Sequence, residues 1–265
     1  MQTTTPLEKL KKSVLPVGQI ATRKWFIERG ISVHTLDNYV KSGKLKLLTK
    51  GVYTNPDTKL GWQPMAISLP QLLPSPLTIG GLFALSLHGM AQYTQPGMHQ
   101  VVDFFSPVPC PRWVKTLSDQ MDTISINWKT TKRLWREGWP EGVSWTESIW
   151  METVPPMFLS SPEQAFLELL MAVPDTISFE HADQIIQGLT QLSPKKLSLL
   201  LRSCINIKVK RLFFWFADRH RYAWRDRLDV DDYNLGSGKR VIAKGGKLDK
   251  SYLITVPESL TGEEI

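Results

Sequence analysis

Between Thr22 and Asn55 the chain reads as two short helices and a hairpin with almost no linker, and few folds satisfy that order. Residues Thr22 to Arg29 carry Trp25 and Phe26, and Gly30 is a helix-ending residue. Ser32 is an N-cap for a helix from Val33 to Lys41. Its Val33, Leu36 and Val40 share one face, and Gly43 ends it. In the run from Lys44 to Asn55, Leu45, Leu47, Val52 and Tyr53 surround Thr49-Lys50-Gly51, which predicts two strands and a turn. Upstream, residues 3–15 open on Thr and Pro and place Leu7, Leu10 and Val14 at i, i+3 and i+7, predicting a first helix. Three helices and a hairpin make a winged helix-turn-helix.

Charge says what such a module meets. The 265 residues include 32 Lys+Arg and 25 Asp+Glu, a net charge of +7. Residues 1–60 hold 11 basic and 4 acidic side chains, so they account for all of it. The remaining residues are balanced, and a basic module on a neutral body points to a polyanion. A helix in the major groove presents side chains to base edges. Opposite Val33, Leu36 and Val40 lie His34, Thr35, Asn38 and Lys41. Asn pairs bidentately with adenine, and Lys bonds guanine or phosphate. Lys44, Lys46 and Lys50 on the wing, with Arg23 and Lys24 on the preceding helix, suit phosphate contacts, which position a protein without reading sequence. The competing reading is a module that contacts protein, its lysines forming a solvated face.

Several classes drop out. Cys110 and Cys204 are far apart, with no CxxC pair or Cys/His cluster, which argues against zinc or a disulfide framework. The N-terminus lacks the apolar run of a signal peptide, and no 18-residue apolar stretch occurs, so a soluble, cytoplasmic chain without a membrane span is expected. GSGKR (236–240) lacks the earlier glycine and following Ser/Thr of a phosphate loop; Gly236 and Gly238 instead predict a turn with positive φ. Ser86 and His88 have no GxSxG elbow, and His88 is expected to bond backbone at a helix end. No Gly-Ser pair leads into Asp-x-Asp, as nucleotidyl transfer would require. The expectation is no catalytic residues, no metal and no cofactor.

Beyond a boundary near residue 58 the chain mixes helix and strand. Helices are predicted over 62–73, 78–87, 161–170, 179–189, 193–202 and 208–216, and strands over 99–105, 121–128, parts of 143–154, 239–244 and 250–256. The whole is an α+β, mixed α/β chain: a winged helix-turn-helix over residues 1–58, then one larger helix-and-sheet domain over 59–265. From Arg202 to Lys250 there are 13 basic and 6 acidic residues. Arg202, Lys208, Lys210, Arg211, Arg219, Arg221, Lys239 and Arg240 then form either a second basic surface or ordinary solvated faces paired with nearby acids. Five tryptophans (128, 135, 139, 145 and 150) are a base-stacking platform or, more commonly, packing.

The run GISVHTLDNYVKSGKLKLLTKGVYTN (30–55) resembles the winged helix of the AbiEi antitoxins of type IV toxin–antitoxin (abortive infection) systems. TIGGLFALSLHGM (78–90), VVDFFSP (101–107) and FLSSPEQAFLELL (158–170) continue the likeness. KVKRLFFWFAD (208–218) and DYNLGSGKRVIAKGGKLDKSYLITVP (232–257) are similar to the family's C-terminal signature, its most specific part. The resemblance implies a non-enzymatic antitoxin with two tasks. It would bind inverted repeats of double-stranded DNA in its own promoter as an autorepressor. It would also counteract a nucleotidyltransferase toxin, bound directly or antagonised indirectly. The alternatives are a winged-helix regulator whose larger domain senses a ligand, or a DNA-targeted enzyme.

Overall fold

The computed structural model describes residues 14–91, 99–136 and 138–261. The chain forms two compact units: residues 1–79, 95–129 and 147–159, and residues 80–94, 130–146 and 160–265. Both mix helix with strand, as the sequence predicts. The predicted first helix lies outside the described residues except for Val14 and Leu15.

In the first unit, β1 (Ile20–Thr22) leads into α1 (Arg23–Ile27). The switch occurs at Thr22, which is extended and accepts the Trp25 amide on its hydroxyl at 3.3 Å. α2 (Val33–Lys41) starts at Ser32, whose hydroxyl accepts the Thr35 amide at 3.1 Å. Gly43 ends the following turn at φ 69°. β2 (Lys46–Thr49) and β3 (Val52–Thr54) make the predicted wing, and β1 adds to it in the order β1-β3-β2. At three residues, β1 is too short for alternation to show in sequence. Leu15, Ala21, Phe26, Leu36, Leu45 and Tyr53 form the core beneath these elements, with Phe26 edge-on to Trp25 and Tyr53. Hydrogen bonds tie this layer to Thr58 and to α3 (Trp62–Leu72). The Gly18 amide donates to Thr58 Oγ1 at 2.9 Å, and the Ile20 amide to Ser68 Oγ on α3 at 2.8 Å.

The helix predicted from Thr78 is corrected to a strand and a helix. β4 (Thr78–Ile79) is buried, Gly80 is extended, and α4 (Gly81–Leu87) starts after it. Two buried residues flanked by an extended glycine pair more readily than they coil. β5 (Gln100–Ser106) runs antiparallel to β4. After it come α5 (Arg112–Ser118), β6 (Ile124–Thr130), β7 (Trp145–Ser148) and β8 (Met157–Ser160). The five strands lie in the order β6-β5-β4-β8-β7, with β8 parallel to β4. The sequence does not predict α5 and β8, because their short, mixed stretches show no clear period.

The second unit is mainly helical: α6 (Pro162–Ala172), α7 (Phe179–Ile186), α8 (Pro194–Ser203) and α9 (Ile207–His220). Ser161, Ser178, Ser193 and Asn206 cap them in turn through their side chains. α9 sends Phe213, Phe214 and Phe216 into a core shared with Phe166, Phe179 and Trp224. Residues 239–244 are not a strand, contrary to expectation. They meet the closing hairpin of β9 (Lys247–Asp249) and β10 (Ile254–Val256) through a bridge from Arg240 to Ile254 and through Thr255, whose hydroxyl accepts the Ile242 amide at 2.9 Å and whose carbonyl accepts the Ala243 amide at 3.1 Å. Gly246 lets β10 pass so closely that a Cβ there would stand 2.2 Å from the Val256 carbonyl oxygen.

The Ser-Ser-Pro-Glu-Gln motif is structural. Glu168 is 1% exposed, and its carboxylate accepts the Gly81 amide at 2.9 Å, Ser160 Oγ at 3.1 Å and Gln164 Nε2 at 2.9 Å. A buried carboxylate at the start of α4 meets unpaired amides there. His88 Nε2 bonds the Ser160 carbonyl at 2.9 Å, the backbone role predicted for it. Gly236 and Gly238 take positive φ of 66° and 74° in the predicted turn.

Candidate nucleic-acid interface

α2 is held by one deep anchor. Leu36 is fully buried, while His34, Asp37, Asn38 and Lys41 are exposed. His34, Asn38 and Lys41 follow at i, i+4 and i+7, so they share a helical face. His34 Nε2 and Asn38 Nδ2 lie 3.3 Å apart, which orients the amide along that face. Thr35 is half-buried, and its hydroxyl pairs with Ser32 Oγ at 2.9 Å, so it serves the helix start more than the surface. Val33, predicted inward, is 41% exposed in the first turn. The core beneath closes around Leu36, and Val33 sits one turn outside it.

The wing presents Lys44, Lys46 and Lys50 to solvent. Leu47 also faces out, 49% exposed, while Leu45 takes the core position. The Arg23 amide donates to the Gly51 carbonyl at 2.8 Å, which brings the start of α1 beside the wing turn carrying Lys50. Lys24 is exposed and 3.7 Å from Glu28, an i,i+4 pair worth little at a surface. Lys44 lies 5.7 Å over the Tyr39 ring, and Arg29 stacks 3.9 Å over Trp25. The exposed cations of this module thus border the exposed face of α2 in sequence and the wing in space. Spacing alone does not reveal the exposure of Val33 and Leu47, because both sit at positions that periodicity assigns to the interior.

The second basic segment divides. Arg211 is 1% exposed; its guanidinium donates to the carbonyls of Leu235 at 2.7 Å, Gly238 at 2.7 Å and Leu253 at 3.2 Å. Lys210 is 4% exposed. Lys208 Nζ donates to the carbonyls of Met171 at 3.0 Å and Val173 at 2.6 Å, at the end of α6, and burial pushes its pKa down. Arg219 donates to Asp183 at 3.1 Å and to the Leu260 carbonyl at 2.6 Å. These four are corrected from free surface cations to buried or half-buried ones: α9 is buried along most of its length, so Lys208, Arg211 and Arg219 turn to backbone carbonyls and a carboxylate, and Lys210 is enclosed. Arg202 is exposed but paired with Asp232 at 2.6 Å. Arg221, Lys239 and Arg240 are exposed and make no ion pair among the described residues.

All five clustered tryptophans make packing contacts or hydrogen bonds, with Trp145 and Trp150 partly exposed. Trp128 donates to the Val108 carbonyl at 2.9 Å, Trp135 is 1% exposed, Trp139 stands edge-on to Trp145, and Trp150 packs on Gly18. Cys204 is free and buried, its thiol pushed up to about 11 by burial. Among the described residues no three His, Cys, Asp or Glu side chains are placed to hold a metal, and no helix is long and apolar enough to cross a membrane.

Comparison with known proteins matches two family models and finds similar folds among solved structures. A model described as the N-terminal domain of the AbiEi antitoxin transcriptional regulator matches residues 4–95. A second, described as the AbiEi antitoxin transcriptional regulator of a type IV toxin–antitoxin system, matches residues 99–257. Among solved structures, the RV2827C protein from Mycobacterium tuberculosis has a similar fold. Its TM-score is 0.51 at 14% sequence identity, covering 94% of this chain and 88% of that one. No curated protein matches the chain.

Proposed function

Because the chain belongs to the AbiEi antitoxin family, transcriptional regulators of type IV toxin–antitoxin systems, we propose that it represses its own operon and neutralises a nucleotidyltransferase toxin. In this reading residues 1–58 are the DNA-binding module and residues 59–265 carry the antitoxin activity. α2 lies in the major groove of an inverted repeat, with Asn38 and His34 at base edges and Lys41 at guanine or phosphate. Arg23, Lys24, Lys44, Lys46 and Lys50 bind phosphates and give the complex its salt dependence. Lys239 and Arg240, exposed and without an ion pair among the described residues, extend the basic surface of the larger domain toward a polyanion. The protein acts in the cytoplasm and without chemistry of its own.

The observation that carries the DNA reading is the exposed α2 face, where His34 orients Asn38 and Lys41 follows on the same side, together with a wing whose Lys44, Lys46 and Lys50 face solvent. It is tested with the full chain on its own promoter. Affinity should fall steeply with salt, and Lys41→Ala with Lys44→Ala should weaken it and flatten the salt slope by roughly 1–2, at about 0.9 per phosphate contact. Unchanged affinity in that double variant overturns the assignment of helix and wing. The antitoxin half is tested by growth: co-expression with the neighbouring toxin should restore colony formation, and failure of the full chain to do so refutes it.

A further inference from the structure

The second unit carries a cleft of about 870 Å³ between the end of α9 and the β9–β10 hairpin. Binding pockets for small ligands run to roughly 300–1,000 Å³, so it is large enough for a nucleotide. Its lining is amphipathic: Trp215, Leu248 and Leu260 contribute apolar surface beside charged groups.

The charges in it are not balanced. Asp183 is committed to Arg219 at 3.1 Å and His220 Nε2 at 2.7 Å. Asp218 accepts the Tyr252 hydroxyl and pairs with Arg225 at 2.7 Å. Asp249 spends an oxygen on the Tyr252 amide at 2.7 Å. Arg221, Lys247 and Lys250 line the same cleft, are exposed, and have no ion pair among the described residues. Two of the three lining carboxylates are thus paired with cations, and the three unpaired cations face one unpaired carboxylate, Asp249, which leaves an excess of positive charge.

A second observation falls on one of those cations. Arg221 caps α9 in the left-handed conformation, φ 51° and ψ 49°. That place usually takes glycine, which has no Cβ to clash with the carbonyl, or asparagine, whose short amide bonds locally. Backbone outliers of this kind gather at ligand clamps. The neighbours that hold Arg221 there are rigid, since Arg219 and His220 are locked to Asp183.

We propose that this cleft binds a nucleoside phosphate, its base against Trp215, Leu248 and Leu260 and its phosphates at Arg221, Lys247 and Lys250. The site is separate from the winged helix and gives the larger domain a small-molecule input. Titration calorimetry on the full chain, with ATP, GTP, CTP, UTP and inorganic phosphate as separate ligands, tests it. At least one nucleoside triphosphate should bind, and phosphate alone should bind at least about tenfold more weakly, since it lacks the base contacts. Arg221→Gly should lose about tenfold or more in nucleotide affinity, the worth of a charge-assisted contact. It should melt no lower than the parent, because glycine accepts the left-handed backbone. That separates a lost contact from a lost fold. Lys250→Ala should also weaken binding. The proposal is overturned if no nucleotide binds at millimolar concentration, if Arg221→Gly binds as the parent does, or if phosphate binds as well as the nucleotide. It is equally overturned if duplex DNA displaces a bound fluorescent nucleotide, and Arg221→Gly weakens DNA and nucleotide alike, because the cations then belong to a DNA surface.

Discussion

Replacing Arg211 with methionine measures how much one buried guanidinium contributes to the GSGKR turn. The side chain is 1% exposed and donates to the carbonyls of Leu235, Gly238 and Leu253. Methionine fills the stem's volume but donates nothing. A buried acceptor left without a donor costs about 1–3 kcal/mol. Gly238 is exposed, so water replaces the guanidinium there, and the Leu253 carbonyl keeps the Arg240 amide at 2.8 Å, so only the Leu235 carbonyl loses its donor. One such acceptor costs about 1–3 kcal/mol, and the relief of guanidinium desolvation offsets part of that. The net expectation is about 1–2 kcal/mol of lost stability. For a protein of this size about 1 kcal/mol moves Tm by roughly 2–4 °C, so melting should fall by about 2–8 °C. Thermal unfolding followed by circular dichroism gives the total. Hydrogen exchange should show the loss concentrated at residues 235–242 and 253–255, with the helix amides of α6 little changed. Arg211→Lys should recover only part, because a single ammonium cannot span three carbonyls. A fall in Tm under about 2 °C would refute the reasoning and show that the turn is held by its backbone alone.

Other outcomes rest on single contacts. Gly246→Ala must push its new Cβ off the Val256 carbonyl, from a starting separation of 2.2 Å. Overpacking of that kind costs about 1–3 kcal/mol, readable as a lower urea midpoint, and an unchanged midpoint would mean that the hairpin shifts freely. Burial raises the pKa of Asp183, but the His220 hydrogen bond and the charges of His220 and Arg219 outweigh it and hold the carboxyl below the usual range. Its contribution to stability is therefore complete above about pH 4 and disappears as pH falls through the lowered value. Asp183→Asn should flatten Tm against pH in that acidic window; a parallel curve refutes the coupling. Asn38→Ala should cost about 1–3 kcal/mol at an A·T position of the operator and almost nothing on unrelated DNA. Equal losses on both would place Asn38 on phosphate instead.

α2 was legible in the sequence from Ser32 to Gly43, because a cap, an apolar spacing and a closing glycine are all local signals. The helices predicted over 161–170, 179–189 and 193–202 are likewise found as α6, α7 and α8, each starting after a serine that caps it. β1 and β4 were not legible, since strands of two or three residues gain their stability from partners far along the chain. Residues 239–244 show the opposite failure: Val241 and Ile242 suggest a strand, yet only Arg240 makes a bridge to β10, and Ile242 bonds the Thr255 hydroxyl instead of a backbone carbonyl.

For this protein the sequence alone determined the winged module, its concentration of positive charge and the family signature, because composition and local periodicity need no distant partner. Tertiary structure decided which charges are free. Lys208, Lys210, Arg211 and Arg219 read as a basic stripe in one dimension, yet the fold buries Lys210 and spends the other three on carbonyls and on Asp183. It leaves Arg221, Lys239 and Arg240 outside. Burial forces a cation to find acceptors, and which acceptors come within reach depends on segments tens of residues away, as Leu235, Leu253 and Leu260 show.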